Sequence, residues 1–156
     1  MSPESAGYSG TPLVRKLGFR AGSRVYLIHP PRGYRELLGS DAGEIEFSDS
    51  LRGPYEFVHL FVTRRSELVE RLDRLRERVL DQGVVWVSWP KKTAGIATDV
   101  TDHVIREVAL PLGFVDVKVC AVDQVWSGLK LVVRLSERKA GVRGRRSGKS
   151  RAGNKC

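Results

Sequence analysis

Three short runs of mainly apolar residues stand out along the chain, at positions 25–28, 57–62 and 83–90. Each run is nearly continuous rather than alternating, which is typical of strands covered on both faces. Pro30 and Pro31 end the first run, because proline cannot donate a hydrogen bond within a sheet. The pattern therefore predicts three buried strands lying side by side in one parallel sheet.

Helical spacing follows the second run. Residues 66–80 carry an apolar stripe on one face and charged residues on the other. Ser66 is predicted as the N-cap, with Glu67 at the positive end of the helix dipole. The members of the stripe are Leu68, Leu72, Leu75 and Val79.

A second helix is predicted over residues 98–113, with Thr98 or Asp99 as its cap and Gly113 at its end. Shorter elements are predicted on either side of the first strand. They are a helix over 11–19 capped by Thr11, a helix over 33–39 ended by Gly39, and a weak peripheral strand over 44–50.

The last two strands are predicted at 114–122 and 129–135, with a short connection between them. So short a link favours antiparallel neighbours. Alternating strands and helices favour a mainly parallel sheet with helices on both faces. The expected fold is a Rossmann-like α/β three-layer sandwich whose sheet ends in an antiparallel hairpin.

The charge is concentrated at the end of the chain. The last 19 of the 156 residues hold eight of the 27 Lys and Arg and no acid, which leaves 19 bases against 18 acids elsewhere. Few apolar residues occur there, so residues 138–156 are predicted to be a disordered basic tail. Residues 1–10 are predicted to be a mobile arm and residues 11–137 the single domain. Contact with nucleic acid or another polyanion is expected to involve the tail.

Several classes of protein are disfavoured. The two cysteines form no disulfide framework, and no apolar run approaches membrane-spanning length. No secretory signal is visible at the start, so a cytoplasmic protein is expected. Histidine and cysteine lack the spacing of metal ligands, and no nucleophilic serine or cysteine motif is present.

A binding site is predicted where the three parallel strands end. Ligands of such sheets bind beyond the carboxyl ends of the strands. Gly95 allows close approach of the backbone, Lys91 and Lys92 add positive charge, and a helix N-terminus follows, so a phosphate or carboxylate is the expected ligand. His29 is the candidate acid or base. The predicted anion-binding residues are His29, Arg32, Tyr34, Thr63, Arg64, Trp89, Lys91, Lys92, Thr93, Gly95 and Thr98.

Other polar and aromatic residues have simpler interpretations. His59 lies inside an apolar strand, which indicates a hydrogen-bonded core histidine. Trp86 alternates with valines and is expected in the core. Trp126 is placed in the hairpin connection, where it could wall a pocket or pack at an interface.

The order of elements resembles the S-adenosylmethionine-dependent methyltransferases in a shortened form, over about residues 24–135. The resemblance implies a glycine-rich turn after the first strand and, after the second, an acid that holds the ribose hydroxyls. Here the turn reads HPPRGY, and Asp49 is the counterpart of the acid. Prolines remove amide donors from that turn.

A second resemblance rests on YSGTP, KLGF, WPKK and VWSGLKLV, which are similar to a family of small bacterial proteins of unknown function. It spans about residues 7–135 and implies no activity. The expected function is binding of a small anion or a partner at the carboxyl edge of the sheet. Two alternatives stay open: an unusual or degenerate methyltransferase, and nucleic-acid association through the tail. The sequence identifies no cofactor and does not decide whether the protein is an enzyme.

Overall fold

The computed structural model describes residues 12–49 and 52–138, without the side chains of Ser40 and Asp41. The predicted arm, the Thr11 cap and nearly all of the predicted tail lie outside these residues. Arg138, the first residue of that tail, donates from Nε to the carbonyl of Val133 at 3.0 Å.

The described residues form six strands and four α-helices. The strands are β1 (Arg24–Ile28), β2 (Glu46–Ser48), β3 (Tyr55–Phe61), β4 (Val79–Pro90), β5 (Phe114–Ala121) and β6 (Trp126–Val133). The helices are α1 (Leu13–Lys16), α2 (Tyr34–Leu38), α3 (Arg65–Arg76) and α4 (Asp102–Ala109). Short 3₁₀ segments occupy Ser40–Glu44, Lys92–Ala94, Leu110–Leu112 and Leu135–Glu137.

The strands form one sheet in the order β2-β1-β3-β4-β6-β5. Four neighbouring strands of this sheet, β2, β1, β3 and β4, are parallel. Val25 lies opposite Phe57, and Val58 lies opposite Val85. β6 is antiparallel to both β4 and β5. The predicted parallel sheet with a terminal hairpin is therefore confirmed.

Apolar side chains cover both faces of the sheet, which explains why the parallel strands lack alternation. One face, with Tyr26, Val58 and Val85, packs against the stripe of α3 and against α4. The opposite face, with Val25, Phe57 and Trp86, packs against α1 and α2. The sheet is the middle of three layers, and the helices after β1 and β3 lie on opposite faces.

The first long helix is shorter than predicted. α3 ends at Arg76, and Val79 begins β4 instead of continuing the apolar stripe. Ser66 lies within the first turn and is not the N-cap. The Arg65 N–H donates to Asp99 Oδ1 at 2.7 Å, although the two residues are 34 positions apart in the sequence. β4 then bulges, because Tyr55 pairs with Val79 and Phe57 with Val84. A Cβ on Gly83 would lie 2.9 Å from two carbonyl oxygens, so glycine is required at this bulge.

The second long helix starts later than predicted. Its N-cap is Thr101, whose Oγ1 accepts a hydrogen bond from the Val104 N–H at 3.2 Å. The predicted caps, Thr98 and Asp99, instead join this loop to residues 63–65. Trp126 was placed in the hairpin connection, whereas it begins β6 opposite Pro90.

Candidate functional site

The connections after β1 and β3 diverge, because α2 and α3 pack on opposite faces of the sheet. Such a switch point is where open α/β sheets bind ligands. A cleft of about 440 Å³ lies beside it. Its lining residues are His29, Arg64, Ser66, Glu67, Glu70, Arg71 and Arg74. Two members of the predicted set, His29 and Arg64, are therefore brought together.

His29 directly follows β1 and has an unusual backbone conformation, with φ at 56°. Left-handed backbone is uncommon for residues other than glycine, and it concentrates at functional sites. Its Nδ1 lies 2.7 Å from Glu67 Oε2, and Arg71 Nε lies 3.7 Å from the same oxygen. The imidazole is thus held at one nitrogen by a half-buried carboxylate while the ring stays largely exposed.

Positive charge exceeds negative charge along this cleft. Arg71 and Arg74 are paired with Glu67 and Glu70 on the same helix. Within residues 12–49 and 52–138, the exposed guanidinium of Arg64 has neither an ion pair nor a hydrogen bond. Arg64 is therefore the surplus cation of the cleft and the group best placed to meet an anion.

A larger cleft of about 710 Å³ follows the free edge of β2. It reaches Pro30 after β1 and Asp49 after β2, so it shares the β1 loop with the smaller cleft. Its lining residues are Arg24, Leu27, Pro30, Glu46, Phe47, Ser48, Asp49, Arg52, Gly53, Pro54 and Tyr55. The volume is within the range of about 300–1,000 Å³ typical of small-molecule sites.

Tyr26 connects the surroundings of the two clefts. It is buried and stacks on Tyr55 with ring centroids 4.5 Å apart. Burial raises the pKa of Tyr26; Tyr55 and Asp49 act in the same direction, and Arg71 opposes them. The hydroxyl therefore lies within the electrostatic reach of Asp49 from the larger cleft and Arg71 from the smaller one.

The third predicted loop contacts the second, but its lysines lie elsewhere. Thr98 Oγ1 donates to the carbonyl of Thr63 at 2.7 Å, which uses both residues in joining the loops. The Lys91 N–H donates to the carbonyl of Val125 in the hairpin turn at 2.8 Å. Neither Lys91 nor Lys92 lines either cleft.

The expected helix N-terminus beside the lysines is also absent. Gly95 adopts a left-handed backbone conformation, with φ at 72°, but α4 begins seven residues later. Lys92 and Thr93 lie in an exposed 3₁₀ turn, and Arg32 is exposed in the β1 loop. Anion binding by these residues stays a prediction.

Two predicted site residues have buried side chains. Trp89 packs in the core under α3 and α4. The Tyr34 hydroxyl lies 2.7 Å from His59 Nδ1, and His59 Nε2 lies 2.8 Å from Ser88 Oγ. The Tyr34 hydroxyl is not presented at the open edge, because α2 places this side chain over the sheet. The interpretation of His59 as a hydrogen-bonded core histidine is confirmed.

Burial controls the protonation of this buried chain of polar groups. It lowers the pKa of His59 to about 3 and raises the pKa of Tyr34. Both groups are therefore neutral at neutral pH, and neither is accessible to a ligand. The network stabilises the contact between α2 and the sheet.

Asp102 and Asp116 hold Arg106 between them, with both carboxylates 2.9 Å from the guanidinium. Hydrogen bonds from Arg106 lower the pKa of each carboxyl group and raise that of the guanidinium. The three groups join α4 to β5 at the surface and play a structural part.

In the described residues, no group of three or more potential metal ligands occurs, and no helix is long and apolar enough to cross a bilayer.

Several solved structures share this arrangement of strands and helices. A Sulfolobus solfataricus protein assigned to the type 11 methyltransferases matches with 13% identity and a TM-score of 0.51, over 81% of this chain and 92% of that one. PigF with SAH matches with 10% identity and a TM-score of 0.53, over 78% of this chain and 60% of PigF. The fold is that of the class I methyltransferases. A Thermoplasma acidophilum protein assigned as a methyltransferase agrees, with 9% identity, a TM-score of 0.51 and coverage of 82% and 76%.

The methyltransferase fold confirms the predicted topology, and identities this low show the fold alone. No protein-family model and no curated protein matches the sequence. The resemblance to a bacterial family of unknown function therefore stays a prediction. The two clefts flank the loop after β1, which contains Pro30 and Pro31 where the resemblance to methyltransferases implies glycines.

Glu67, Arg71 and Arg74 belong to the smaller cleft but were not among the predicted site residues. Glu67 was interpreted as a partner of the helix dipole, which is correct for its position but incomplete. Its spacing from His29 gives no local signal, because 38 positions separate the two residues. Only the approach of the β1 loop to α3 joins them.

Proposed function

We propose that this protein binds S-adenosylmethionine, or a closely related adenosyl compound, beside Asp49 and acts as a methyltransferase of reduced size. The observation that carries the proposal is the position of Asp49, which follows β2 and lines the larger cleft. The family that the sequence resembles has an acid at this point for the ribose hydroxyls. The strand order and the structural matches support the same site.

The larger cleft suits an adenosyl compound in its chemistry. Asp49 is exposed, and an ionised carboxylate can accept hydrogen bonds from two neighbouring hydroxyls. Leu27, Phe47 and Pro54 add apolar surface on which a purine can pack. When bound, S-adenosylmethionine supplies a methyl group on a positively charged sulfur.

The loop after β1 suits the ligand less well. Pro30 and Pro31 have no N–H, and the Tyr34 N–H is bonded to the carbonyl of Pro31 at 3.2 Å. This loop therefore offers fewer amides than a glycine-rich turn would. We expect Asp49 and the apolar walls to supply most of the affinity.

Replacement of Asp49 by asparagine is expected to weaken binding at least about tenfold, because hydrogen bonds to a charged acceptor contribute about 1.5–3 kcal/mol. Calorimetric titration with S-adenosylhomocysteine measures this. Glu46→Gln is the matched control: Glu46 lines the same cleft, but it pairs with Arg24 at 3.3 Å at the other end of β2.

No saturable heat with the wild-type protein would contradict the proposed function. Equal affinity of the wild type and Asp49→Asn would contradict the role of Asp49. Equal losses in Asp49→Asn and Glu46→Gln would indicate a general effect of charge in the cleft and would count against a specific ribose contact.

We also propose that the basic tail associates with nucleic acid, because seven cations without a single acid follow Arg138. Deletion of residues 139–156 is expected to abolish retention of double-stranded DNA in a filter-binding assay at low salt. Retention by the full chain should fall steeply as salt is raised. Unchanged retention after the deletion would contradict this role of the tail.

A further inference from the structure

The smaller cleft combines a surplus cation with an oriented imidazole. Arg64 and His29 come from the ends of neighbouring parallel strands, at the switch point of the sheet. We propose that this cleft binds a small anion that carries an O–H group close to its charge. Arg64 contacts the charged group, and Nε2 of His29 accepts a hydrogen bond from the O–H.

The contact with Glu67 determines which nitrogen of His29 is available. An ionised carboxylate only accepts hydrogen bonds, so Nδ1 carries the proton at the 2.7 Å contact with Glu67 Oε2. In the neutral ring, Nε2 is then unprotonated and accepts a hydrogen bond. Glu67 is thus a positioning residue that acts on the ligand through His29.

The backbone at His29 supports a functional interpretation of the imidazole. Its φ of 56° is the one positive value at a residue other than glycine among the described residues. Left-handed backbone is energetically unfavourable for a residue with a side chain. The contact with Glu67 stabilises it while 60% of the His29 side chain remains exposed. The ring is therefore both oriented and accessible.

Arg64 provides the attraction for the charged group. Arg71 and Arg74 have carboxylate partners on α3, whereas Arg64 has none in the described part of the chain. A guanidinium can donate two parallel hydrogen bonds to a carboxylate or a phosphate. The ligand class is therefore a hydroxy acid or another small oxyanion with an O–H.

Identification of this ligand as the methyl acceptor rests on the proposed function. Its binding does not, because the smaller cleft lacks Asp49 and can be titrated without any adenosyl compound. If the protein binds anions but does not bind S-adenosylhomocysteine, the proposed function alone is contradicted. If it binds S-adenosylhomocysteine but no anions in the smaller cleft, this inference alone is contradicted.

Phosphate and sulfate form a matched pair of probes. At pH 8 both carry about two negative charges, but only phosphate retains an O–H. Titration followed by NMR shifts of the His29 ring is expected to show phosphate binding several-fold more tightly than sulfate. Arg64→Ala should weaken the binding of both anions about tenfold. Arg65→Ala is the control, since Arg65 is bonded to Glu107 and does not line the cleft.

His29→Asn tests the imidazole, because asparagine tolerates left-handed backbone and is too short to replace the ring. Because this variant lacks the ring that reports binding, its affinities are measured by calorimetry, and the affinity for phosphate should fall to that for sulfate. In the wild-type protein, ¹H–¹⁵N correlations should show His29 protonated at Nδ1, and Glu67→Ala should abolish this preference. Thermal melts confirm that each variant is folded.

Equal affinity for the two anions in the wild-type protein would overturn the proposal. Equal losses in Arg64→Ala and Arg65→Ala would also overturn it, since they would show a general response to surface charge. A His29 ring protonated at Nε2 would remove the proposed acceptor and have the same consequence.

Discussion

Replacement of Trp86 by alanine is expected to lower the free energy of unfolding by about 4 kcal/mol. The indole is fully buried in the core between the sheet and the first two helices. Its Nε1 donates to the carbonyl of Leu17 at 2.8 Å, just after α1. Alanine would leave a cavity and remove the partner of that carbonyl. Equilibrium unfolding in urea measures the change.

One further variant at this position separates packing from hydrogen bonding, and a second variant elsewhere is its control. Trp86→Phe keeps most of the apolar volume but leaves the Leu17 carbonyl unpaired, so a loss of about 1–3 kcal/mol is expected. Trp126→Ala is the control, because Trp126 is only half-buried at the edge of the same core. A change below about 1 kcal/mol in Trp86→Ala would contradict the described packing of α1 on the sheet.

The stability of the protein is expected to fall below pH 6.5 because of His59. Burial lowers the pKa of His59 to about 3 in the folded protein, whereas it is 6.5 for an ordinary histidine. Between these values the unfolded chain binds one more proton, so stability rises with pH. The contribution is complete above pH 6.5 and is lost as pH falls toward 3, at up to about 1.4 kcal/mol per pH unit.

Urea unfolding between pH 6.0 and 5.0 isolates this effect, since the three carboxyl groups with lowered pKa, those of Asp102, Glu107 and Asp116, have ordinary pKa values of 4.5 or less. Wild type should lose about 1 kcal/mol over that interval, and His59→Gln should lose much less. His103→Gln is the control, because His103 is an exposed residue of α4. A wild-type stability that does not change across this range would contradict a buried neutral His59.

The parallel sheet could be predicted because burial on both faces leaves a direct mark on the sequence. The runs at 25–28, 57–62 and 83–90 are apolar at nearly every position, and they are the parallel strands β1, β3 and β4. The hairpin was predictable for another reason, since its connection is too short for a parallel crossover.

The ends of the helices could not be predicted from local signals. Ser66 and Thr98 are favourable N-cap residues, but the structure caps Arg65 with Asp99 and Val104 with Thr101. The partners of Arg65 and Thr98 are more than 30 positions away. Val79 fits a helical stripe equally well, and only the bulge around Gly83 reveals that it begins a strand.

The candidate site was predictable in place but not in composition. The rule for parallel sheets located the ends of β1 and β3, and His29 and Arg64 lie there. The rule did not show that the loop after β4 is bonded to the hairpin turn at Val125. Lys91 and Lys92 therefore lie away from the clefts, although their charge and the nearby Gly95 suggested an anion site.

The proposed adenosyl site at Asp49 can be tested by a crystal structure of the protein with S-adenosylhomocysteine. Electron density is expected along the edge of β2, with the ribose hydroxyls within hydrogen-bond distance of the Asp49 carboxylate and the ligand in contact with Pro30. Density for the ligand beside Lys91 and Gly95, or no ligand density at a saturating concentration, would contradict this site.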